Sequence, residues 1–477
     1  MDSNTPEERA RRIVRSLIWT YFGLLIIEGA LRKWVVPQLS NPLLVVRDPV
    51  ALGIYFFSLR AGVFPRNAWF VVLLLIGILS SICTFIVLDP YLPPSKIALV
   101  CGYGVHANFF HLPLIFVMAK VLRLEDVRKF GWWTLVLIIP MTFLMIAQFR
   151  ASPDALINST AGGEGEMMTS ALGKVRTAGP FSFVIGVVLY FALATAFLMW
   201  AVLKKGIYRN WLLMAAGMAL VIGIAVSGSR SAVASCALVV ASLLPVIIFR
   251  RDAVNRVGQI LLAVVVLGFV VSRTPVFREG VNVLTTRFSE VAEQTQESVA
   301  RGIIGRTFSG FSESAYIFTK APWFGYGLGI GTNAGANILT GHSVFLLTEG
   351  EWPRILLESG KLLGLAFILW RVALTFYILA ACFRALKAGN LLPLFLFSAG
   401  FVSLFWGQFG QPTILGFAVI TLGLALAATR TPEAEEAAVP VEVQPSSRRV
   451  ARTRSVFAER MHGPTTGSNL PNGSIDR

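Results

Sequence analysis

Long runs of apolar residues dominate the chain, and short polar or charged segments separate them. Each run is close to the roughly 20 residues that a helix needs to cross a hydrocarbon core about 30 Å thick. Only helices and closed barrels satisfy their backbone hydrogen bonds inside lipid, so runs of this length are typical of membrane-spanning helices. The pattern predicts about twelve helices, over residues 16–31, 43–59, 68–88, 97–119, 131–149, 178–203, 210–227, 231–249, 257–273, 355–383, 391–408 and 412–429.

The spacing of these runs divides the chain into four parts. We expect a transmembrane region of about nine helices over residues 1–273 and a second of about three helices over residues 355–430. An extracytoplasmic loop, 274–354, lies between helices 9 and 10, and part of it has the spacing of one or two amphipathic helices. The polar tail 431–477 has the composition of a disordered cytoplasmic segment. The predicted class is therefore an all-α polytopic integral membrane protein.

Composition supports a lipid environment. Fifty-five per cent of the residues are hydrophobic and 14% are charged, whereas soluble domains carry about a quarter charged residues. These values exclude a soluble, a disordered and a collagen-like chain. The net charge of +16 does not indicate nucleic acid, because the basic residues lie in short clusters between the apolar runs.

The distribution of Lys and Arg predicts the orientation. Most of the 42 basic residues fall on one side if the N-terminus is cytoplasmic, and every short loop on that side carries at least two. Short loops with such an excess face the cytoplasm. We therefore expect a multi-pass protein with both termini in the cytoplasm.

Several charged residues then collect at the outer ends of the helices. Arg176 precedes the sixth helix, and Arg230 follows Ser227-Gly228-Ser229 in a very short turn. Charge at this depth is costly unless it is paired or functional. Because Arg binds phosphate oxygens through two parallel hydrogen bonds, these residues indicate a site for an anionic lipid headgroup such as a diphosphate.

The end of the long loop contains candidates for acid–base chemistry. His342 is the one histidine in an outside loop, and neutral imidazole suits a general base. Glu349, Glu351 and Glu358 are carboxylates near the same surface, each able to act as base or to pair with Arg354. His106 and His111 lie inside the fourth predicted helix, where we expect packed or paired side chains and not catalytic ones. We expect the glycines at 325, 327 and 329 to let the backbone approach a substrate.

The sequence contains no HExxH, Walker or GxSxG motif and no pair of acidic residues suited to a metal on the outer side. We therefore expect neither a metal ion nor a cofactor.

Four motifs, in order over about residues 170–370, resemble those of the O-antigen ligase and O-antigen polymerase (Wzy-type) family. They are Arg176-Thr177-Ala178-Gly179-Pro180-Phe181, then Ser227-Gly228-Ser229-Arg230-Ser231-Ala232, then Arg306 with Pro322-Trp323-Phe324-Gly325-Tyr326-Gly327, then Glu358-Ser359-Gly360 with Gly364. The resemblance implies a membrane glycosyltransferase of the GT-C type in the bacterial inner membrane. Such an enzyme transfers a glycan from undecaprenyl diphosphate to an acceptor hydroxyl at the outer face, without metal or nucleotide.

Carried over to this chain, the resemblance places Arg176, Arg230 and Arg306 at the diphosphate, and we place Arg354 with them as a substrate-binding residue. The family's ligases carry a His-Asn pair about nine residues before the Glu-x-Gly motif, and here Glu349 stands at that distance. The base could therefore be His342, Glu349 or Glu351. Without the ligase pair, a polymerase of O-antigen or exopolysaccharide repeats is favoured over a ligase that uses lipid A-core or another acceptor.

The expected partners are an undecaprenyl-diphosphate-linked glycan, membrane lipid and an acceptor glycan, and not nucleic acid. Twelve helices with both ends inside also describe many secondary transporters, although no repeated halves are visible. A non-catalytic scaffold or sensor that works through its tail is a third alternative.

Overall fold

The computed structural model describes residues 5–162, 169, 171–249, 258, 266, 268–295, 299–342 and 345–430, with the side chains of 171 and 290–309 excepted. These residues form helices and connecting turns, and they contain no β-strand. The helices are α1 Pro6–Ala30, α2 Asp48–Arg60, α3 Ala68–Leu88, α4 Pro94–Val105, α5 Leu114–Val121, α6 Leu124–Arg150, α7 Val184–Leu203, α8 Asn210–Val226, α9 Arg230–Ala241, α10 Leu243–Phe249, α11 Pro275–Thr295, α12 Val299–Lys320, α13 Asn333–Thr340, α14 Glu351–Lys387, α15 Leu392–Trp406 and α16 Pro412–Ala428.

The all-α prediction is confirmed for these residues. Eight helical stretches are long and apolar enough to cross a membrane, and α8, α15 and α16 are shorter apolar helices at predicted positions. This is the architecture of a protein embedded in a membrane. The predicted helix 257–273 lies largely outside the described residues, and the predicted disordered tail 431–477 lies wholly outside them.

One predicted helix is not continuous. The run 97–119 consists of α4, a π-helical turn His106–Phe110 and α5. Pro113 has no backbone N–H and stands directly before α5, so the helical ladder cannot pass through it. The turn places His106 and Asn108 inside the protein, where both are buried.

Helix α14 is also broken. Its first residue is Glu351, four residues before the predicted start, and Gly360 has φ 80° and ψ 176°. The loop before it fills the break, because Tyr326 and Gly327 donate from N–H to the carbonyls of Leu357 and Glu358. A Cβ at Gly360 would collide with the backbone of Trp323, so only glycine fits there.

The interior and the periphery of the bundle differ sharply. In α16 every residue except Thr413 is buried, and this helix packs most extensively against α15 and α5. A helix that is apolar on all sides belongs to the core. Helix α3 instead exposes a stripe of large apolar side chains, including Leu75, Ile82 and Ile86, which is the surface expected against lipid.

The long loop forms three helices in its described part. The prediction of one or two amphipathic helices is confirmed by α11 and α12, and α13 is a third, short helix. Gly280 of α11 lies against the backbone of Ala225, near the end of α8, where a Cβ would contact the Ala225 carbonyl carbon. The loop therefore begins next to the turn that carries Arg230.

Candidate functional site

The turn between α8 and α9 is built to hold Arg230 at a helix start. Gly228 adopts a φ of 56°, which favours glycine, and the buried Ser227 hydroxyl accepts from the N–H of Ser229 at 3.2 Å. Arg230 is then the first residue of α9, and the Ser229 side chain does not cap that helix. A cation at the positive end of a helix dipole is unfavourable alone. A bound anion would interact favourably with both the guanidinium and the helix terminus.

The segment from Arg176 to Ser182 is held rigidly beside this turn. Gln148 exchanges two hydrogen bonds with the backbone of Gly179, at 2.8 and 3.1 Å. The buried Lys33 ammonium donates to the carbonyl oxygens of Gly179 and Phe181 at 3.0 and 3.2 Å. Thr177 donates to the carbonyl of Val226, the last residue of α8, at 3.1 Å. These bonds fix the position of Arg176 relative to α8.

Three arginines meet at this place, and we call Arg176, Arg230 and Arg287 the arginine cluster. Arg230 Nη1 donates to the backbone carbonyl of Arg287 in α11 at 3.3 Å. Burial and then the positive charges of Arg287 and Arg230 lower the pKa of the Arg176 guanidinium. The Nε atoms of Arg176 and Arg287 are buried and have no hydrogen-bond partner among the described residues. The cluster thus concentrates positive charge that is partly unsatisfied.

The predicted diphosphate residues divide into three groups. Arg176 and Arg230 lie together, and Arg287, which the sequence did not indicate, joins them. Arg306 lies on α12, but its side chain is outside the described residues. Arg354 belongs to another part of the protein.

Arg354 lies in a buried network with Glu351, Glu358 and Arg371, which we call the ion-pair network. Arg354 binds Glu351 Oε2 at 3.0 Å and Glu358 Oε2 at 2.6 Å, and it donates to the Asn108 amide oxygen at 2.9 Å. Arg371 binds Glu351 Oε1 at 2.7 Å.

The carboxylates of this network are fully engaged. Glu351 accepts from two arginines and from the N–H of Phe409 at 3.2 Å, and Glu358 accepts from the N–H of Gly331 at 2.8 Å. Glu351, Arg354 and Glu349 line a cavity of about 20 Å³, which holds about one water molecule. The predicted roles of Glu351 and Arg354 remain predictions, and the contacts seen here join α14 to the π-helical turn and to the segment between α15 and α16.

The other two candidate bases are exposed. The backbone N–H of His342 bonds the Thr340 hydroxyl at 3.3 Å. The backbone carbonyl of Glu349 accepts from Gln408 at 2.6 Å. Both side chains are accessible, and their roles stay predictions.

The glycines at 325 and 329 allow close contacts between backbone segments inside the protein. A Cβ at Gly325 would collide with the Glu358 carbonyl, and one at Gly329 with the Val100 carbonyl. They let the loop approach α14 and α4, and the expected approach of a substrate stays a prediction. The Pro-x-x-Gly-x-Gly and Glu-x-Gly motifs are instead joined to each other.

A third polar group surrounds Asp48, the first residue of α2. Its carboxylate oxygens lie 2.8 Å from His106 Nδ1 and 3.1 Å from His111 Nε2. The expectation that the two histidines are paired is confirmed. Ligand atoms of these three residues lie within 4.8 Å of one another, which is close enough to hold a metal ion. Sequence patterns did not reveal the group, because Asp48 is 58 residues from His106.

The chain matches no protein-family model and no curated protein.

Proposed function

We propose that the chain is a membrane glycosyltransferase that acts on undecaprenyl-diphosphate-linked glycans at the outer face of a bacterial inner membrane. Its favoured activity is polymerisation of O-antigen or exopolysaccharide repeat units. Transfer of the glycan to a lipid A-core or other acceptor is the alternative within the same chemistry. In this proposal the chain has the GT-C type of fold and both termini lie in the cytoplasm.

The observation that carries the proposal is the arginine cluster. Arginines that lie together repel one another, so a site that gathers them favours an anionic ligand. A diphosphate offers several oxygens to the guanidinium groups of Arg176, Arg230 and Arg287. The negative charge on a departing diphosphate grows during glycosyl transfer. Fixed cations therefore stabilise the transition state more than the ground state.

An apolar groove supports a substrate with a long hydrocarbon tail. It has a volume of about 720 Å³ and lies between α2, α3 and the π-helical turn, where Tyr55, Phe85 and Phe109 are among its lining residues. Its wall is almost entirely apolar and includes residues from both ends of α3. An isoprenoid chain bound there would bury its surface along a membrane-spanning helix.

The test uses purified full-length protein in nanodiscs with an undecaprenyl-diphosphate-linked oligosaccharide as donor. We expect a ladder of longer lipid-linked glycans on a gel. Arg230→Ala and Arg287→Ala should each reduce the rate by about 10²- to 10³-fold, as the loss of one transition-state contact to the developing anion does.

Arg278→Ala is the matched control on α11. Arg278 is exposed and donates to the carbonyl of Ser272, away from the proposed phosphate contacts. It should leave the ladder unchanged. Product appearing only when lipid A-core is supplied would identify the ligase alternative. No transfer by the wild type with any acceptor would refute the proposal.

A secondary transporter is the second candidate, and the ion-pair network favours it. Buried Glu and Arg side chains inside a long apolar helix such as α14 are typical of ion and proton pathways. Flux of a labelled glycan-lipid across proteoliposomes, without any new glycosidic bond, would support this candidate over the enzyme.

A further inference from the structure

A chain of hydrogen bonds runs from Arg47 towards Asp48 through the interior. Arg47 Nη1 donates to the Tyr21 oxygen at 3.2 Å, so the Tyr21 hydrogen is free to be donated to His111 Nδ1, also 3.2 Å away. His111 Nε2 must then carry the ring proton, and it donates to Asp48 Oδ1 at 3.1 Å. The network thereby assigns His111 as a neutral ring that uses both of its nitrogens.

His106 uses only one nitrogen. An ionised carboxylate can only accept, so His106 Nδ1 carries the proton that bonds Asp48 Oδ2 at 2.8 Å. Its Nε2 atom is buried and has no partner among the described residues. A neutral imidazole held through Nδ1 by a carboxylate, with a bare Nε2, has the arrangement of a general base.

We propose that His106 is the general base that takes the proton from the acceptor hydroxyl, with Asp48 as its positioning residue. This inference rests on the proposed function. The acceptor O–H proton moves to His106 Nε2 while the acceptor oxygen forms a bond to the anomeric carbon. The bond from that carbon to the diphosphate oxygen breaks, and its electron pair leaves with the diphosphate. The imidazolium then releases its proton to water.

The pair lies beside two partly exposed residues. The Asp48 side chain is 23% exposed, and the partly exposed Tyr103 ring has its centroid 5.1 Å from that of His106. Because His106 Nε2 is itself buried, a sugar hydroxyl reaches it only when the side chains beside Asp48 and Tyr103 move.

The pair is also connected to the segment that carries Arg176. Arg32 donates to the Ser182 hydroxyl at 3.3 Å and lies 3.6 Å from Glu28. Glu28 in turn binds Arg47 at 3.1 Å, one residue before Asp48. A series of side-chain contacts therefore links the proposed base to Ser182, six residues after Arg176.

A metal ion fits the same residues less well. Arg32 and Arg47 both pair with Glu28. Together with Asp48 these groups already sum to zero formal charge, so a divalent cation would leave excess charge at membrane depth. A metal on Nδ1 would also make His106 Nε2 a buried N–H donor without an acceptor, whereas metal-bound histidines nearly always have one. The charges and the hydrogen bonds both favour the base.

His106→Asn is the informative variant, because the Asn amide N–H can still donate to Asp48 while Nε2 is removed. We expect glycan transfer in nanodiscs to fall by about 10²- to 10⁴-fold, with unchanged binding of the fluorescent lipid-linked donor. Arg230→Ala should instead weaken that binding. Asp48→Asn should lower the transfer rate and leave the donor affinity unchanged. His462 belongs to the polar tail 431–477, and His462→Asn is the control histidine substitution.

The competing bases are tested in the same assay through His342→Asn and Glu349→Gln. Transfer by His106→Asn at the wild-type rate, or a loss confined to the His342 or Glu349 variant, overturns the inference and leaves the proposed function intact. No product from the wild type overturns the proposed function, and the role of His106 with it.

The chain has four histidines, so ¹⁵N-histidine spectra can be assigned by single substitutions without reference to activity. We expect His106 to show a protonated Nδ1 and a bare Nε2. The opposite tautomer would overturn the inference. So would one equivalent of bound metal in the purified wild type that is absent from His106→Asn.

Discussion

The arginine cluster and the ion-pair network differ in whether a carboxylate pairs with the buried arginines. Arg354 and Arg371 each bind a carboxylate at 2.6–3.0 Å inside the protein. Arg176 and Arg287 each have a buried Nε without a partner, and among the described residues neither lies within ion-pair distance of a carboxylate. Both regions lie next to the long loop. The difference in arginine pairing is therefore not explained by their positions along the sequence.

The difference separates arginines whose charge is offset inside the protein from arginines that we propose bind an anionic ligand. Removing a guanidinium from water costs several kcal/mol unless a partner offsets that cost. In the ion-pair network, the partners of Arg354 are Glu351 and Glu358, which lie on the same helix, α14. Among the described residues the arginine cluster offers no such partner to Arg176, and in our proposal a diphosphate provides it. The following predictions separate these two cases.

The largest effect should follow from removal of Arg354. Arg354→Met leaves two buried carboxylates, Glu351 and Glu358, with only Arg371 remaining in the network. It should lower the free energy of unfolding by about 3–5 kcal/mol. The measurement is the thermal unfolding midpoint in detergent, with the exposed Glu349→Gln as the control. An unchanged midpoint for Arg354→Met would mean that the network is not structural.

Ligand binding should distinguish the two regions next. Inorganic pyrophosphate should stabilise the wild type against unfolding, by about 2.7 kcal/mol at a concentration of 100 times its Kd. The stabilisation should weaken with added salt, since it is electrostatic, and should disappear in Arg287→Ala. Equal stabilisation of wild type and Arg287→Ala would place the anion elsewhere.

The cluster itself should contribute nothing favourable to stability without a ligand. Arg287→Met removes a repelling cation and an unsatisfied Nε, so the unfolding midpoint of the empty protein should stay constant or rise, by up to about 1 kcal/mol in free energy. The measurement is the same melt without pyrophosphate. A loss comparable to that of Arg354→Met would contradict the distinction between the regions.

The smallest effect is expected for the ion pair at the edge of the cluster. Lys174 binds Glu279 at 2.7 Å, and both side chains are about a third or more exposed. Such pairs are worth about 0–1 kcal/mol. Lys174→Ala should therefore change the midpoint little and should preserve the response to pyrophosphate. Loss of that response would extend the anion site to Lys174.

Part of the candidate site could be predicted from the sequence. A Ser-Gly-Ser-Arg turn between two apolar runs places its arginine near a membrane surface, and Arg230 is found at the start of α9. Arg287 could not be recognised, because a cation on an amphipathic helix usually faces water. Glu351 and Arg354 stand at the edge of an apolar run, where charges are commonly solvated. Their burial depends on Arg371, 20 residues after Glu351 and beyond the break at Gly360.

By itself the sequence determined the helical class, the positions of the apolar helices and the long loop. These follow from hydropathy and length, which are local properties of the chain. The tertiary structure alone decided which charges are paired, where Gly360 breaks α14, and that Asp48 holds His106. Each of these depends on contacts between residues far apart in sequence. Burial then sets the free energy of every charge according to the partners that packing supplies.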